Sequence, residues 1–308
     1  MEFNFYTCLM HICCFLLAAA VLILSLRLHQ IKAKIRTAQA AESFPNASPE
    51  ERSFLHYIED GLKNKEFKMY LQFIVDNKTK KIVSAEALSR WETASGEILF
   101  PGKYIGAMES SGLITALDYA MFEEACRKLS EWEGTAFDSF TLSCNFTRIT
   151  ISENDFITKL KEISDRYSFE HRKLLIEITE DSIERNLEIA MNNIRWAKEL
   201  GFRIALDDIG GGYTSLMNLC EYPIDVVKID RNILLLTSKE RGKKLFLGIL
   251  SLAHSLNLKV VCEGVETEEQ NTLVTESECD YVQGWYYSKA LSESQAEEFA
   301  KDYMSRFA

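Results

Sequence analysis

Two adjacent carboxylates, Asp207 and Asp208, end the apolar run 204–206, and three glycines, Gly210–Gly212, follow almost at once. Like charges side by side repel each other, and three glycines raise the entropy that is lost when the turn is ordered. Stability alone therefore does not favour this pattern, whereas a divalent cation held by the acids would offset their repulsion. A polar strand end before a flexible turn is the alternative that this stretch leaves open.

Other predicted strands end in the same way, on side chains that bind metals or take part in catalysis. In a parallel α/β barrel the carboxyl ends of all strands lie on one face, so these side chains should meet there. Oxygen ligands of this kind suit Mg²⁺ or Mn²⁺ rather than zinc. Each residue alone is more often a solvated or capping residue, and it is their coincidence at successive strand ends that favours a site. The residues are Glu86, Asn145, Glu177 with Glu180, Asp207 with Asp208, Lys228, Glu263 with Glu266, and Gln283.

The elements that must position this site alternate between short apolar strands and amphipathic helices from Pro49 onward. Repeated β-then-α units predict a parallel sheet with right-handed crossovers, and about 260 residues is the usual size of one α/β barrel. Met69–Val75 and Lys81–Ala87 are separated by a short turn, which predicts an antiparallel pair at the start of the domain.

Composition narrows the class of function. The formal net charge of −11 makes DNA or RNA polymers unlikely partners. None of the eight cysteines forms a CxxC pair and the five histidines are scattered, so no zinc motif is present.

The N-terminal segment is of a different kind. Residues 3–26 contain no charged side chain, and they are long enough to cross the hydrocarbon layer of about 30 Å. Arg27, Lys32, Lys34 and Arg36 follow, which puts the C-terminal side in the cytoplasm. A cleaved signal peptide is the alternative, but the basic n-region is missing. We therefore expect a transmembrane anchor and basic flank at 1–36, a linker at 37–48 and one domain at 49–308.

Seven motifs in the domain resemble the EAL family of cyclic di-GMP phosphodiesterases. They occur in the order of that family and cover roughly residues 67–290, which is nearly all of the predicted domain. The motifs are AEALSRW, LSCNFT, LIEITED, IALDDIGGGYTSL, VVKIDR, VVCEGVETEEQ and YVQGWYYSKAL.

The resemblance implies a modified TIM (β/α)8 barrel with an antiparallel first strand, and hydrolysis of cyclic di-GMP to linear pGpG with two Mg²⁺ or Mn²⁺ ions. It also implies a homodimer. Together with the expected anchor, it predicts a location at the bacterial inner membrane with the domain in the cytoplasm. By match to the family's motifs, the expected metal ligands are Glu86, Asn145, Glu177, Asp207 and Asp208. The expected catalytic residues are Lys228, Glu263, Glu266 and Glu180. The expected substrate contacts are Gln72, Arg90 and Gln283.

The chain departs from the family's pattern mainly in the loop after the acid pair, where Ile209, Gly211 and Thr214 replace Phe, Thr and Ser. None of these changes removes an expected ligand. They leave open an alternative, a catalytically weak or inactive module that binds cyclic di-GMP or docks a protein. No GGDEF-like stretch is present, so we predict no diguanylate cyclase activity within this chain.

Overall fold

The structure is a computed structural model that describes residues 48–179, 187–210, 219 and 222–306. The chain divides into two units between Asp60 and Gly61, and the barrel lies wholly in the second. No helix among the described residues is both long and apolar enough to cross a bilayer. The expected anchor at residues 3–26 and nearly all of the expected linker lie outside the described ranges.

Eight of the described strands close into a barrel in the order β1-β2-β4-β5-β6-β7-β8-β9, and β9 pairs back onto β1. Strand β1 runs antiparallel to both of its neighbours, and the other seven are mutually parallel. The barrel with an antiparallel first strand is therefore confirmed. The strands are β1 Phe67–Asp76, β2 Ile82–Glu92, β3 Ile98–Leu99, β4 Thr141–Phe146, β5 Leu174–Thr179, β6 Arg203–Ile209, β7 Val226–Ile229, β8 Lys259–Cys262, β9 Tyr281–Gln283 and β10 Leu291–Ser292.

The β1–β2 hairpin forms because its turn stabilises itself locally. The Asp76 carboxylate accepts hydrogen bonds from the backbone N–H groups of Lys78 (3.1 Å) and Thr79 (2.6 Å), which is an Asx turn. Lys80 then takes a left-handed conformation with φ of 59° that reverses the chain. Strands β3 and β10 are short additions that pair with β2 and β1.

Among the described residues, the helices that come after the first hairpin lie between or after the parallel strands and cover the outside of the barrel. Helix Ile114–Trp132 shows why: Leu117, Met121, Phe122 and Ala125 form one buried stripe at helical spacing. The described helices are α1 Pro49–Lys63, α2 Ile105–Ser111, α3 Ile114–Trp132, α4 Arg148–Ile151, α5 Phe156–Ser164, α6 Leu187–Glu199, α7 Arg231–Leu236, α8 Glu240–Ser255, α9 Glu268–Glu276 and α10 Glu293–Ser305.

Candidate active site

The barrel interior is built in two layers that follow from the period-two alternation of strands. An apolar layer contains Ile74, Leu175, Ala205, Val226 and Val261, with Tyr281 packed against it. Successive side chains of a strand point to opposite faces, so a residue two positions further on points into the same interior. On five strands that residue is polar, which places the polar layer at the carboxyl rim. The pairs are Leu175 with Glu177, Ala205 with Asp207, Val226 with Lys228, Val261 with Glu263, and Tyr281 with Gln283.

Lys228 lies at the centre of the polar layer and is 1% exposed. Its Nζ lies 2.6 Å from Glu263 Oε1 and 3.0 Å from Glu177 Oε2. Asp207 Oδ2 and Glu86 Oε2 are 3.3 Å and 3.4 Å away. One ammonium group therefore touches carboxylates that lie on, or directly after, four different strands, and these four acids are all among the residues that the motifs point to. Glu86 was expected at the end of its strand, but β2 continues past it to Glu92.

Burial and charge act in opposite directions on these groups. Burial alone would lower the pKa of Lys228, but the surrounding carboxylates outweigh it and hold that pKa well above its usual range. Burial raises the pKa of Glu177 to about 8 and the pKa of Glu263 well above its usual range, although Lys228 opposes both shifts. One lysine does not compensate all of the acids, so the cluster carries an excess of negative charge or holds protons.

Glu86 is the acid that its neighbours orient most firmly. Asn145 Nδ2 donates to Glu86 Oε1 at 2.9 Å, and Gln283 Nε2 donates to Glu86 Oε2 at 2.7 Å. Burial pushes the pKa of Glu86 upward, but Lys228 and these two amide donors outweigh it, so the net pKa is lowered. Glu86 is therefore held as an oriented carboxylate.

The acid pair at the end of β6 sits on a β-bulge. Leu206 pairs with Val227 and Ile209 pairs with Ile229, so Asp207 and Asp208 together oppose the single residue Lys228. Asp208 adopts a left-handed conformation with φ of 60°. A bulge of this kind re-aims a side chain, and it brings ligand oxygens of Asp207, Asp208 and Glu263 within 4.8 Å of one another.

The groups present fit a divalent cation. The donors are carboxylate and amide oxygens, which hard cations such as Mg²⁺ and Mn²⁺ prefer. Burial and the adjacent Asp207 raise the pKa of Asp208 to about 6, which shows a carboxyl group without enough positive charge near it. The buried Oε1 of Gln283 also has no hydrogen-bond partner among the described residues. A cation would supply the missing charge.

A cavity of about 1010 Å³ opens onto this cluster. It lies beside β2 and β4 and under helices α2 and α3, and Asn145, Asp207 and Asp208 form part of its wall. Its size is at the upper end of the range for small-molecule sites. A ligand in this cavity would have one end against the acidic rim.

Other residues that the motifs point to lie further out. Glu266 accepts from Arg231 Nη2 at 2.7 Å on the loop after β8. Gln72 pairs with Glu86 across the hairpin and donates to the Ser288 carbonyl at 3.1 Å. Arg90 lies near the cavity, where the neighbouring Ser89 forms part of the wall. Glu180 is outside the described residues. The roles of all these residues stay predictions.

One buried acid near the cavity was not expected. Asp118 Oδ2 accepts from the Thr147 N–H (2.9 Å), the Thr147 hydroxyl (2.7 Å) and the Thr150 hydroxyl (2.6 Å). It thereby fixes the turn that follows Asn145. The signal was present in the sequence, because Asp118 interrupts the apolar stripe of α3, where an acid is rarely placed without partners.

Comparisons with known proteins identify the family of the chain. The EAL domain model matches residues 56–290, so the chain belongs to the EAL domain family. The signaling protein YkoW of Bacillus subtilis is 30% identical over 243 residues, which is 79% of this chain and 30% of YkoW. The cyclic di-GMP phosphodiesterase NbdA of Pseudomonas aeruginosa is 28% identical over 247 residues, which is 80% of this chain and 32% of NbdA.

The fold has a solved counterpart as well. The PaMucR phosphodiesterase in complex with c-di-GMP is 26% identical with a TM-score of 0.75, and the match covers 79% of this chain and 99% of that one. The chain spans only about a third of the length of the curated relatives that it matches.

Proposed function

We propose that this chain is a metal-dependent phosphodiesterase that hydrolyses cyclic di-GMP to linear pGpG. The observation that carries the proposal is the ring of carboxylates around Lys228 beside the Asp207–Asp208–Glu263 group, at the wall of a large cavity. Relatives named as cyclic di-GMP phosphodiesterases and a related complex with c-di-GMP support this choice of substrate.

Two groups of residues would hold two cations. Asp208 and Glu263 would bind one cation at the bulge, and Glu86, Asn145 and Glu177 would bind the other from the neighbouring strands. When bound, Mg²⁺ or Mn²⁺ offsets the charge of the phosphodiester and lowers the pKa of a nearby water. Asp207 would belong to both groups, because its carboxylate lies near Asp208 and Glu263 and also near Lys228.

The protein's own groups orient the reactants. Lys228 can donate a hydrogen bond to the attacking water and can stabilise the negative charge that develops on the phosphate oxygens. Asn145 and Gln283 fix the plane of Glu86. The net reaction adds one water across one P–O3′ bond, so the ring opens to a 5′-phosphorylated linear dinucleotide with a free 3′-hydroxyl.

The test is turnover by the purified full chain with Mg²⁺ or Mn²⁺, with pGpG measured by chromatography. We expect the wild type to form pGpG and Glu86→Gln to lose at least a hundredfold in rate. The matched control is Glu162→Gln, an exposed acid on α5, which should keep the wild-type rate. If the chain binds cyclic di-GMP but does not hydrolyse it with either metal, the proposed phosphodiesterase activity is wrong. The chain would then be a module that binds cyclic di-GMP.

We also infer, from the sequence alone, a single-pass anchor at residues 3–26 that holds the domain at the cytoplasmic face of the membrane. Retention in the membrane fraction after a carbonate wash is the expected result, and a shortened soluble product would contradict it. Dimerisation is a separate proposal, which light scattering of the purified chain would test.

A further inference from the structure

Arg90 has two aromatic rings turned toward its guanidinium group. Its Cζ lies 5.0 Å from the centroid of Phe100 and 5.7 Å from that of Tyr70. Both distances are within the range of cation–π attraction. Tyr70 is itself fixed, because its hydroxyl donates to Glu92 at 2.9 Å. The three residues form what we call the Arg90 clamp.

The guanidinium group in this clamp has no anionic partner within the described part of the chain. Among the residues that the structure describes, no carboxylate lies within ion-pair distance of Arg90, and its Nη1 donates to the backbone carbonyl of Ser89 at 2.8 Å. Burial also lowers the pKa of Arg90, which fits a cation that is partly removed from water. A guanidinium presents five N–H donors in a fixed fork that matches phosphate. A guanidinium that no described carboxylate neutralises is therefore suited to hold a phosphate group.

The clamp stands at the edge of the cavity described above. Ser89 and Pro101, the chain neighbours of Arg90 and Phe100, are both part of the cavity wall. Phe100 is 61% exposed, so its ring contributes little to the core. We therefore look for a role of this exposed ring in its contact with Arg90.

We propose that Phe100 and Tyr70 are positioning residues that hold the Arg90 guanidinium toward the cavity so that it receives a phosphate group of the substrate. The inference rests on the proposed function, because it assigns a contact to the same cyclic dinucleotide. The rings restrict the arginine before the ligand arrives, so less conformational entropy is lost on binding. Binding affinity, and not the chemical step, is the quantity that the clamp raises.

The experiment compares Phe100 variants in the full chain. For Phe100→Ala we expect KM, and the Kd for cyclic di-GMP measured in EDTA, to rise about three- to tenfold. The turnover number at saturation and the melting temperature should stay unchanged. Phe100→Trp should keep KM and Kd at the wild-type values, because indole is the best cation–π partner. Phe100→Leu should raise both, as Phe100→Ala does. Ile98→Ala is the matched control, since Ile98 is 46% exposed on β3.

The outcomes separate the two proposals. If the wild type neither binds nor hydrolyses cyclic di-GMP, the proposed function fails and the clamp fails with it. If the wild type is active and Phe100→Ala matches it in KM and Kd, the function stands and the clamp is overturned. Full restoration by Phe100→Leu would also overturn the clamp, because bulk rather than a ring face would then position Arg90. Tyr70→Leu should weaken binding more than Tyr70→Phe, which keeps the ring.

Discussion

Asp207 and Asp208 are consecutive residues of one strand, yet ligand oxygens of both lie within 4.8 Å of each other and of Glu263. In a regular strand, consecutive side chains point to opposite faces. The bulge opposite Lys228 and the left-handed backbone of Asp208 remove that constraint. The Asp208 N–H also donates to Asp207 Oδ1 at 2.8 Å, which fixes the first carboxylate by means of the second residue.

The first prediction concerns Asp208→Asn. Asparagine accepts the left-handed conformation as readily as aspartate, so the variant removes a charge without adding strain. We expect Mn²⁺ to bind at least tenfold more weakly in calorimetry, and turnover to fall. The melting temperature of the metal-free protein should stay equal or rise, because a repulsive charge is gone.

Its control is Asp165→Asn, in an exposed ion pair with Lys161 on α5. That variant should bind Mn²⁺ like the wild type. Equal Mn²⁺ affinity in Asp208→Asn and the wild type would contradict a metal role for Asp208.

The second prediction concerns Lys228→Met. Removing the central cation leaves buried carboxylates uncompensated, and breaking a buried pair in this way costs about 3–5 kcal/mol. Chemical denaturation in EDTA should show a loss of that size, and millimolar Mg²⁺ should recover part of it. Turnover measured in saturating Mg²⁺ should fall at least a hundredfold, since the metals do not replace the hydrogen bond to the water.

Lys198→Met gives the comparison for a half-exposed pair. Lys198 bonds Asp225 at 2.7 Å outside the site, and its loss should cost less than about 1 kcal/mol. If the two lysine variants lose the same free energy of unfolding, Lys228 does not compensate buried carboxylates in the way proposed.

The third prediction uses glycines. A Cβ on Gly284, directly after Gln283, would lie 2.1 Å from the Val265 carbonyl oxygen. Gly284→Ala must therefore separate the loops that follow β8 and β9, and it should destabilise the fold by about 1–3 kcal/mol and reduce turnover. Gly248→Ala, in helix α8 with nothing within 4 Å, should instead stabilise by up to about 1 kcal/mol. The denaturation midpoint should shift down in Gly284→Ala and up in Gly248→Ala, relative to the wild type. An unchanged midpoint in Gly284→Ala would contradict the close approach of the two loops.

The fourth prediction is a pH dependence at Asp118. Burial raises the pKa of Asp118 from its usual 3.8 to about 6, against the hydrogen bonds from Thr147 and Thr150. The folded state therefore holds the proton more tightly than the unfolded state. As pH rises through this window, the contribution of Asp118 to the free energy of unfolding falls, by up to about 3 kcal/mol in total.

The measurement compares the wild type with Asp118→Asn, which has no such titration. Between pH 4 and pH 7, the free energy of unfolding of the wild type should fall relative to that of Asp118→Asn. Parallel pH profiles for the two proteins would contradict the raised pKa.

Much of the site was predictable because barrel strands repeat every two residues. Apolar residues such as Val226 and Val261 mark the interior, so Lys228 and Glu263 had to follow them into it. The short turn between the first two strands predicted the antiparallel pair, and the motif resemblance implied that the first strand of the barrel is the antiparallel one. Local spacing does not show which strand ends meet across a barrel, and so it did not reveal that Lys228 touches carboxylates from four strands.

Two other features depend on pairing that the sequence does not display. The bulge at Asp207 and Asp208 is fixed by the register of β6 against β7, which becomes apparent only once the strands are aligned. The sequence pattern at Pro101–Ser110 predicts one helix, but the structure divides this stretch into a 3₁₀ turn at Pro101–Lys103 and α2. Tyr104 lies between them and is fully buried. Its hydroxyl lies 2.8 Å from that of Ser89 on β2, and this tertiary contact is not visible in the local helical pattern.

The antiparallel first strand has a consequence for biosynthesis. One side of β1 is paired as soon as β2 leaves the ribosome, but its other partner, β9, lies about 200 positions further along the chain. At roughly 5–20 residues per second, the nascent protein carries an unpaired sheet edge for about 10–40 seconds. Exposed edges invite pairing with other chains, so this protein should depend on chaperones or slow dilution when it is refolded or overproduced.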